Sequence, residues 1–223
     1  MRFQLLLLSL CTSLSVSAKY HEPDLSVQLS QNNDEWIGTV TANLQATEEI
    51  SFTADIDSTG YLEIGSGYGV MLGQFYTEAF VSYGRADIFD IYNVGLFTGT
   101  ALTQDIMVFA NTSHEWRKGV FSESIFQPGV NNNFNAFNTT REWKNTLGAS
   151  YTINQWSNFS YSFTHDRELT GSKSYYNSQD VTLTLKPKWV EPYMKYTFGE
   201  SRVSPSDKTR TENSYEIGFN LRF

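Results

Sequence analysis

The sequence has a single cysteine, little positive charge and no long apolar run beyond its first residues, and each shortage excludes a class of protein. Cys11 lies in the N-terminal segment, so the rest of the chain has no disulfide framework and no thiolate chemistry. Lysine and arginine number 16 against 24 acidic residues, which gives a formal net charge of −8. This charge argues against nucleic acid as a partner, because nucleic acid needs a basic surface. A transmembrane helix needs roughly 18 apolar residues in a row, and no such run follows the first segment.

The first 18 residues have the pattern of a secretory signal peptide. A positive start at Arg2 precedes an apolar run at 5–8, and Val16 and Ala18 are small residues at the positions that a signal peptidase reads. We expect cleavage after Ala18, which leaves 19–223 as a single domain. The residue before the cysteine, Leu10, is not small, and this argues against a lipoprotein.

Polar and apolar residues alternate with a period of two along nearly all of the remaining chain. Val181, Leu183 and Leu185, for example, alternate with Thr182 and Thr184. Successive side chains of a strand point to opposite faces, so each such segment has one apolar and one polar face. The pattern predicts twelve strands, at 25–31, 36–46, 49–56, 61–71, 75–84, 88–100, 105–116, 142–153, 158–166, 180–189, 192–200 and 214–223.

Three features favour a transmembrane barrel over a soluble sheet. The predicted strands run about 8 to 12 residues, which suits a tilted crossing of a bilayer. Short connections alternate with long polar ones at 117–141, 167–179 and 200–213, as periplasmic turns alternate with outer loops in such barrels. The tryptophans fall near strand ends, where interfacial aromatic belts lie: Trp36, Trp116, Trp143, Trp156 and Trp189.

The predicted fold class is therefore all-β, a transmembrane antiparallel β-barrel of the bacterial outer membrane. An even strand count places both termini on the periplasmic side. The segment 121–137 is ambiguous, because it could fold into the pore or form two more short strands. Ten and fourteen strands are the alternatives to twelve.

The end of the chain carries the pattern of an outer-membrane assembly signal. Glu216, Gly218, Leu221 and the terminal Phe223 occupy the polar, glycine, apolar and aromatic positions of that signal. The intervening apolar residues form one lipid-facing stripe that ends in an interfacial aromatic ring. We expect outer-membrane lipid and the barrel assembly machinery as partners.

The last hairpin also resembles a known family. Pro192-Tyr193-Met194 together with the segment Glu212-Asn213-Ser214-Tyr215-Glu216-Ile217-Gly218 is similar to the last hairpin of the small, twelve-stranded, oligogalacturonate-specific porins. The resemblance implies a monomeric porin. That family lines its pore with arginines, whereas the arginines of this chain fall mostly in predicted loops and at strand ends. The resemblance therefore implies a small porin, but it does not imply the ligand of that family.

If the apolar face meets lipid, the polar face lines the interior. Acidic residues lie on the third to seventh predicted strands and basic residues mostly on the tenth to twelfth, so two opposite walls of unlike charge are expected. Such a division orders water and favours polar solutes, although the same charges could instead pair across a plugged lumen. The predicted pore-lining residues are Asp55, Glu63, Glu78, Glu115, Lys144, Lys186, Lys188, Lys195 and Arg222.

Three glycines share the inner face of the fourth predicted strand. Gly65, Gly67 and Gly69 make room inside the barrel, and Tyr76 and Phe80 of the next strand are expected to lie across them. Aromatic rings commonly cover glycines in this way on neighbouring strands.

The pattern favours a passive channel for small hydrophilic solutes, such as sugars or sugar acids. One alternative is a closed barrel that acts through its outer loops in adhesion or in a structural role. A membrane-embedded hydrolase is the third hypothesis, and His114 and His165 are its only candidates. Both are predicted to face lipid, away from Ser113 and Thr164, and a base must reach its nucleophile. The sequence predicts no catalytic residue, metal site or cofactor.

Overall fold

The computed structural model describes residues 24–32, 35–86, 89–119, 139–170, 174–187, 189–201, 210–211 and 213–222. The predicted signal peptide, the ambiguous segment 121–137, Lys188 and Phe223 lie outside the described residues. No helix among the described residues is long and apolar enough to span a membrane.

The described residues form antiparallel strands joined in chain order. Twelve long strands form the wall, and a two-residue strand, β12, pairs with the end of β11. The strands are β1 (Asp24–Asn32), β2 (Glu35–Gln45), β3 (Ile50–Asp57), β4 (Leu62–Leu72), β5 (Phe75–Arg85), β6 (Phe89–Ala101), β7 (Ile106–Gly119), β8 (Thr140–Asn154), β9 (Ser157–Glu168), β10 (Tyr175–Leu185), β11 (Val190–Ser201), β12 (Arg210–Thr211) and β13 (Ser214–Arg222).

The sheet closes on itself through the last strand. β13 pairs with β1 in the register Val27 opposite Phe219, and with β11 in the register Met194 opposite Ile217. β10 pairs with β11, so the ring of twelve strands has no free edge. A closed barrel satisfies every backbone group of the wall internally, which a membrane requires. The predicted twelve-stranded antiparallel barrel is confirmed.

The strand bounds agree with the prediction except at the tenth strand. Residues 180–189 were predicted for this strand, whereas β10 spans Tyr175–Leu185. Pro187 explains the early end, because proline lacks the N–H that a strand ladder needs. The alternation also continues further toward the outer end than predicted, so the loop before β10 is short.

The outer face of the barrel is apolar and exposed. Leu62, Ile64, Leu147 and Ile217 are between 47% and 64% exposed, although they would be core residues in a soluble protein. Their neighbours along each strand point the other way and are polar, glycine or aromatic. The apolar band therefore faces lipid, as the alternation predicts.

Tryptophans mark both rims of this band. Trp36, Trp116 and Trp143 lie near the end that carries the long connections. Trp156 and Trp189 lie in turns at the opposite end and are 58% and 69% exposed. Two aromatic belts at the ends of an apolar band are typical of outer-membrane barrels.

Candidate functional site in the barrel interior

The inner face has two unlike walls, with β2 and β3 between them on one side. The first, called here the aromatic wall, consists of the inward-facing residues of β4–β7. The second, called the hydroxyl wall, consists of the inward-facing residues of β8–β11, β13 and β1. The aromatic wall contains Tyr76, Phe80, Phe97 and Phe109. The hydroxyl wall is dominated by serine and threonine: Thr146, Ser150, Ser160, Ser162, Thr164, Ser178, Thr182, Thr184, Thr197, Ser214, Ser26 and Ser30.

Rings of the aromatic wall cover glycines of adjacent strands. Tyr76 covers Gly69, as predicted, and Phe109 covers Gly148. The rings also follow one another around the wall, with the Tyr76 and Phe97 centroids 6.3 Å apart and the Phe97 and Phe109 centroids 6.1 Å apart. A glycine has no Cβ, so a ring can lie against the sheet and fill the interior on this side.

Phe80 departs from the prediction. Its ring covers Gly95 of β6 and not a glycine of β4. Phe80 stands opposite both Gly67 and Gly95. The space over Gly67 is taken by the carboxylate of Glu78 and the hydroxyl of Ser51, which are 2.7 Å apart. The ring therefore turns to the other neighbouring strand.

Three predicted pore-lining carboxylates lie together on β3, β4 and β5. Asp55 and Glu63 stand directly opposite each other in the antiparallel register. Thr41 donates a hydrogen bond to Asp55, and Tyr61 donates one to Glu63. Glu78 accepts hydrogen bonds from the hydroxyls of Ser51 at 2.7 Å and Tyr76 at 2.9 Å. All three carboxylates are therefore bound by hydroxyl groups.

Glu115 joins the two walls. It lies on the inner face of β7, with a side chain that is 5% exposed, and accepts from Arg117 Nε at 2.6 Å. Its second oxygen pairs with Nζ of Lys144, which comes from β8. Arg117 also lies over the ring of Phe89 at 5.6 Å. Removing the carboxylate would leave two largely buried cations without this partner.

The hydroxyl wall borders a polar cavity of about 290 Å³. Residues from six strands line it, so it is an interior space and not a groove on one hairpin. They are Gln28 and Ser30 of β1, Lys144 of β8, Thr164 and Asp166 of β9, Tyr176, Ser178 and Asp180 of β10, Lys195, Thr197 and Glu200 of β11, and Ser214 and Glu216 of β13. Short polar side chains leave the space, because they fill less volume than the rings opposite.

The closing strand contributes an ordered polar cluster to this cavity. Lys195 Nζ lies 2.6 Å from Glu216 Oε2. The hydroxyl of Tyr193 donates to Glu216 at 2.9 Å and to Gln28 at 3.1 Å, and the Tyr193 ring covers Gly218. Two residues of the predicted assembly signal, Glu216 and Gly218, therefore also have contacts inside the folded barrel.

Of the other predicted basic positions, one lies in a turn and two are not described in full. Lys186 lies in the turn after β10, because the strand ends before Pro187, and its N–H donates to the carbonyl of Trp156 at 2.8 Å. Arg222 is paired with Asp24 at the end of β13, but its side chain lies outside the described part of the chain, as does the whole of Lys188.

The predicted separation of charge between opposite walls is not found. Asp166 and Asp180 project into the cavity from β9 and β10, and Glu216 does so from β13, on the side expected to be basic. The alternation of β9 and β10 contained this signal, since Asp166 and Asp180 keep the phase of Thr164 and Thr182.

His114 and His165 lie on the lipid-facing side. The ring of His114 packs against Trp116 at 4.8 Å, and the ring of His165 stacks on Tyr175 at 5.4 Å. The adjacent Ser113 and Thr164 face the interior, with Thr164 3.0 Å from Thr146. These contacts are those of interfacial polar aromatics. Among the described residues, no group of three or more metal-ligating side chains is assembled.

Comparison with known proteins gives a match in structure and none in sequence. No protein-family model matches the chain, and no curated protein matches it in sequence. The NanC porin superposes with a TM-score of 0.70 at 12% identity, covering 90% of this chain and 100% of that one. The KdgM porin, also solved in complex with oligogalacturonate, gives 0.63 at 13% identity, with 90% and 99% covered.

The same barrel also occurs in a protein of another kind. The translocator domain of the autotransporter NalP from Neisseria meningitidis gives a TM-score of 0.61 at 11% identity, covering 96% of this chain and 92% of that one. At these identities the likeness shows the fold, which can host several functions. The chain has the fold of small outer-membrane porins. This fold places the protein in the bacterial outer membrane.

Proposed function

We propose that this protein is a passive channel for small hydrophilic solutes in the outer membrane. The observation that carries the proposal is the polar cavity of about 290 Å³ inside a closed barrel, lined by hydroxyl, carboxylate and ammonium groups from six strands. A polar interior with an apolar lipid-facing side is the arrangement of water-filled porins. The likeness to the NanC and KdgM porins supports the same proposal.

The proposal includes the export of the chain and its insertion into the outer membrane. Residues 1–18 are removed as a signal peptide, and the barrel assembly machinery inserts the remainder by reading the closing strand. The barrel then works as a monomer in outer-membrane lipid, as the resemblance of its last hairpin to the small porins implies.

Single-channel recording in planar bilayers tests the proposal. We expect discrete conductance steps from the purified, refolded barrel. Thr184→Arg places a long side chain on the inner face of β10 and should lower or otherwise change the step size. The matched control is Leu183→Met, one residue away on the lipid-facing side and close in volume, which should leave the step unchanged.

Correct folding is checked first, by heat-modifiable migration on gels. A folded barrel that gives no conductance step would overturn the channel proposal and favour a role for the outer loops. Equal effects of Thr184→Arg and Leu183→Met would contradict the assignment of the inner face.

A further inference from the structure

The fixed charge of the described interior is unbalanced. The inward-facing basic side chains of the described strands are Arg117, Lys144 and Lys195, and each lies in an ion pair with a carboxylate. Arg117 and Lys144 share Glu115, and Lys195 pairs with Glu216. These two carboxylates therefore offset two of the three positive charges in the described interior.

Four further carboxylates in the interior have hydroxyl partners instead. Asp55, Glu63 and Glu78 lie on β3–β5, at the edge of the aromatic wall, and are bound by threonine, tyrosine and serine hydroxyls. Asp180 accepts from Thr197 at 2.5 Å and from Ser162 at 3.4 Å on the other side. Within the described residues, none of the four has a basic side chain within ion-pair distance. A hydroxyl donor orients a carboxylate without cancelling its charge.

The position of two of these carboxylates is not explained by stability. Asp55 and Glu63 are directly opposed across β3 and β4, and like charges in opposed positions destabilise a sheet. Polar neutral residues would hold the same hydroxyl groups without that cost. The pair instead provides a concentrated negative charge on the inner surface.

Fixed charges on the inner surface of a narrow pore change the local concentration of ions that pass through it. A unit charge about 8 Å from an ion, acting through water, changes the local concentration of a monovalent ion by about twofold. The effect is stronger where an apolar wall focuses the field. Charged side chains of one sign along a channel set its ion selectivity.

We propose that this pore is cation-selective and favours small hydrophilic cations, such as amino sugars, over sugar acids. The inference rests on the proposed channel function and specifies its solute class. It separates this barrel from the KdgM porin, which has been solved with an acidic oligosaccharide. An acidic sugar chain would meet the carboxylates of Asp55, Glu63, Glu78 and Asp180 with little unpaired positive charge in the described interior to balance them.

The reversal potential of the refolded barrel under a salt gradient tests the inference. With potassium chloride at unequal concentrations, we expect potassium to be severalfold more permeant than chloride. The triple variant Asp55→Asn, Glu63→Gln, Glu78→Gln should reduce this ratio by at least about twofold, because three fixed charges are removed. The amide side chains keep the acceptor oxygens, so the barrel should still fold.

A matched control removes three carboxylates outside the interior. This control is the triple variant Glu48→Gln, Glu49→Gln, Asp105→Asn, whose positions lie in exposed turns at the opposite end from the long loops. It should change the potassium-to-chloride permeability ratio much less. A liposome-swelling assay with glucosamine, glucose and glucuronate extends the test to solutes, with influx expected to fall in that order.

The outcomes separate the two proposals. Absence of any conductance overturns the channel function and this inference with it. An open channel that prefers chloride, or that admits glucuronate as fast as glucosamine, overturns the inference and leaves the channel function standing. Equal shifts from the interior triple and the turn triple would show that the interior carboxylates do not set the selectivity.

Discussion

The aromatic wall and the hydroxyl wall differ in how much of the barrel interior their side chains occupy. On the aromatic wall, the large rings of Tyr76 and Phe109 cover glycines of neighbouring strands. On the hydroxyl wall, serine and threonine are too short to cross the interior, and a cavity of about 290 Å³ remains. A twelve-stranded barrel lies between the sizes that side chains fill and those that stay open. The difference between the two walls therefore places the cavity on the hydroxyl wall.

The two walls also differ in how tightly their side chains are packed. Large rings held against glycines fix the shape of one side, because overpacked or emptied positions there disturb neighbouring strands. The hydroxyl wall has short side chains that do not pack against neighbouring glycines, so its polar groups can change with less effect on packing.

Glu115→Gln should be the most damaging of these changes. Glu115 holds Arg117 of its own strand and Lys144 of the next strand, and its side chain is 5% exposed. Removing one partner of a buried ion pair leaves uncompensated charge, so we expect a loss of about 3 kcal/mol in the free energy of unfolding. The loss is measured by urea titration of the barrel in lipid–detergent micelles.

The control for this prediction is a surface pair of the same chemistry. Asp90 lies 3.8 Å from Arg85, whose side chain is 62% exposed, and exposed pairs contribute about 0–1 kcal/mol. Asp90→Asn should therefore be nearly neutral. A Glu115→Gln barrel as stable as the Asp90→Asn barrel would show that the two walls do not depend on this contact.

The ion pair across the walls also shows what the sequence could and could not predict. The alternation of polar and apolar residues predicted Glu115 and Lys144 as inward-facing, together with all twelve long strands, of which only the tenth has clearly different bounds. It could not predict that they would meet, because a contact between β7 and β8 depends on register. The connection between these strands, 120–139, is too long for a tight turn to set that register.

Two other differences have local causes that sequence reasoning can miss. Phe80 has a glycine on each side, and the choice between Gly67 and Gly95 depends on where the Glu78 carboxylate lies. Lys186 was assigned to a strand although Pro187 follows it. The first required three-dimensional packing, whereas the second was present in the sequence as a strand-ending signal.

Gly95→Ala tests the aromatic wall directly. A Cβ at this position would lie 2.6 Å from the carbonyl oxygen of Thr112 and 2.6 Å from the Cβ of Ser113, and would also meet the ring of Phe80. Backbone cannot move aside as a flexible side chain can, so the substitution should cost about 1–3 kcal/mol in unfolding free energy. Urea titration of the same preparation measures it.

Gly99→Ala is the matched control on the same inner face of β6. The nearest atom to its Cβ would be the carbonyl oxygen of Val108 at 3.4 Å, an ordinary contact. We expect a change within about 0.5 kcal/mol, because alanine also reduces the freedom of the unfolded chain. Equal losses at Gly95 and Gly99 would mean that close ring-and-glycine packing does not set the shape of this wall.

Tyr193→Phe should have the smallest effect, and it tests whether the two walls are as different as their names suggest. Tyr193 brings an aromatic ring to the hydroxyl wall, where it covers Gly218 and donates to both Glu216 and Gln28. Phenylalanine keeps the ring and removes the donor, so we expect a loss of about 1 kcal/mol in unfolding free energy.

The control is Tyr151→Phe on the lipid-facing side, where the tyrosine hydroxyl has no hydrogen-bond partner among the described residues and the ring is 48% exposed. If the hydroxyl of Tyr193 orders the cavity, its loss should exceed that at Tyr151 and should also change the conductance. If stability falls equally in both variants and the conductance is unchanged, the ring of Tyr193 acts only as packing. In that case the hairpin of β11 and β13 would be shaped, like β4–β7, by a ring packed against a glycine. The aromatic wall would then extend to this hairpin.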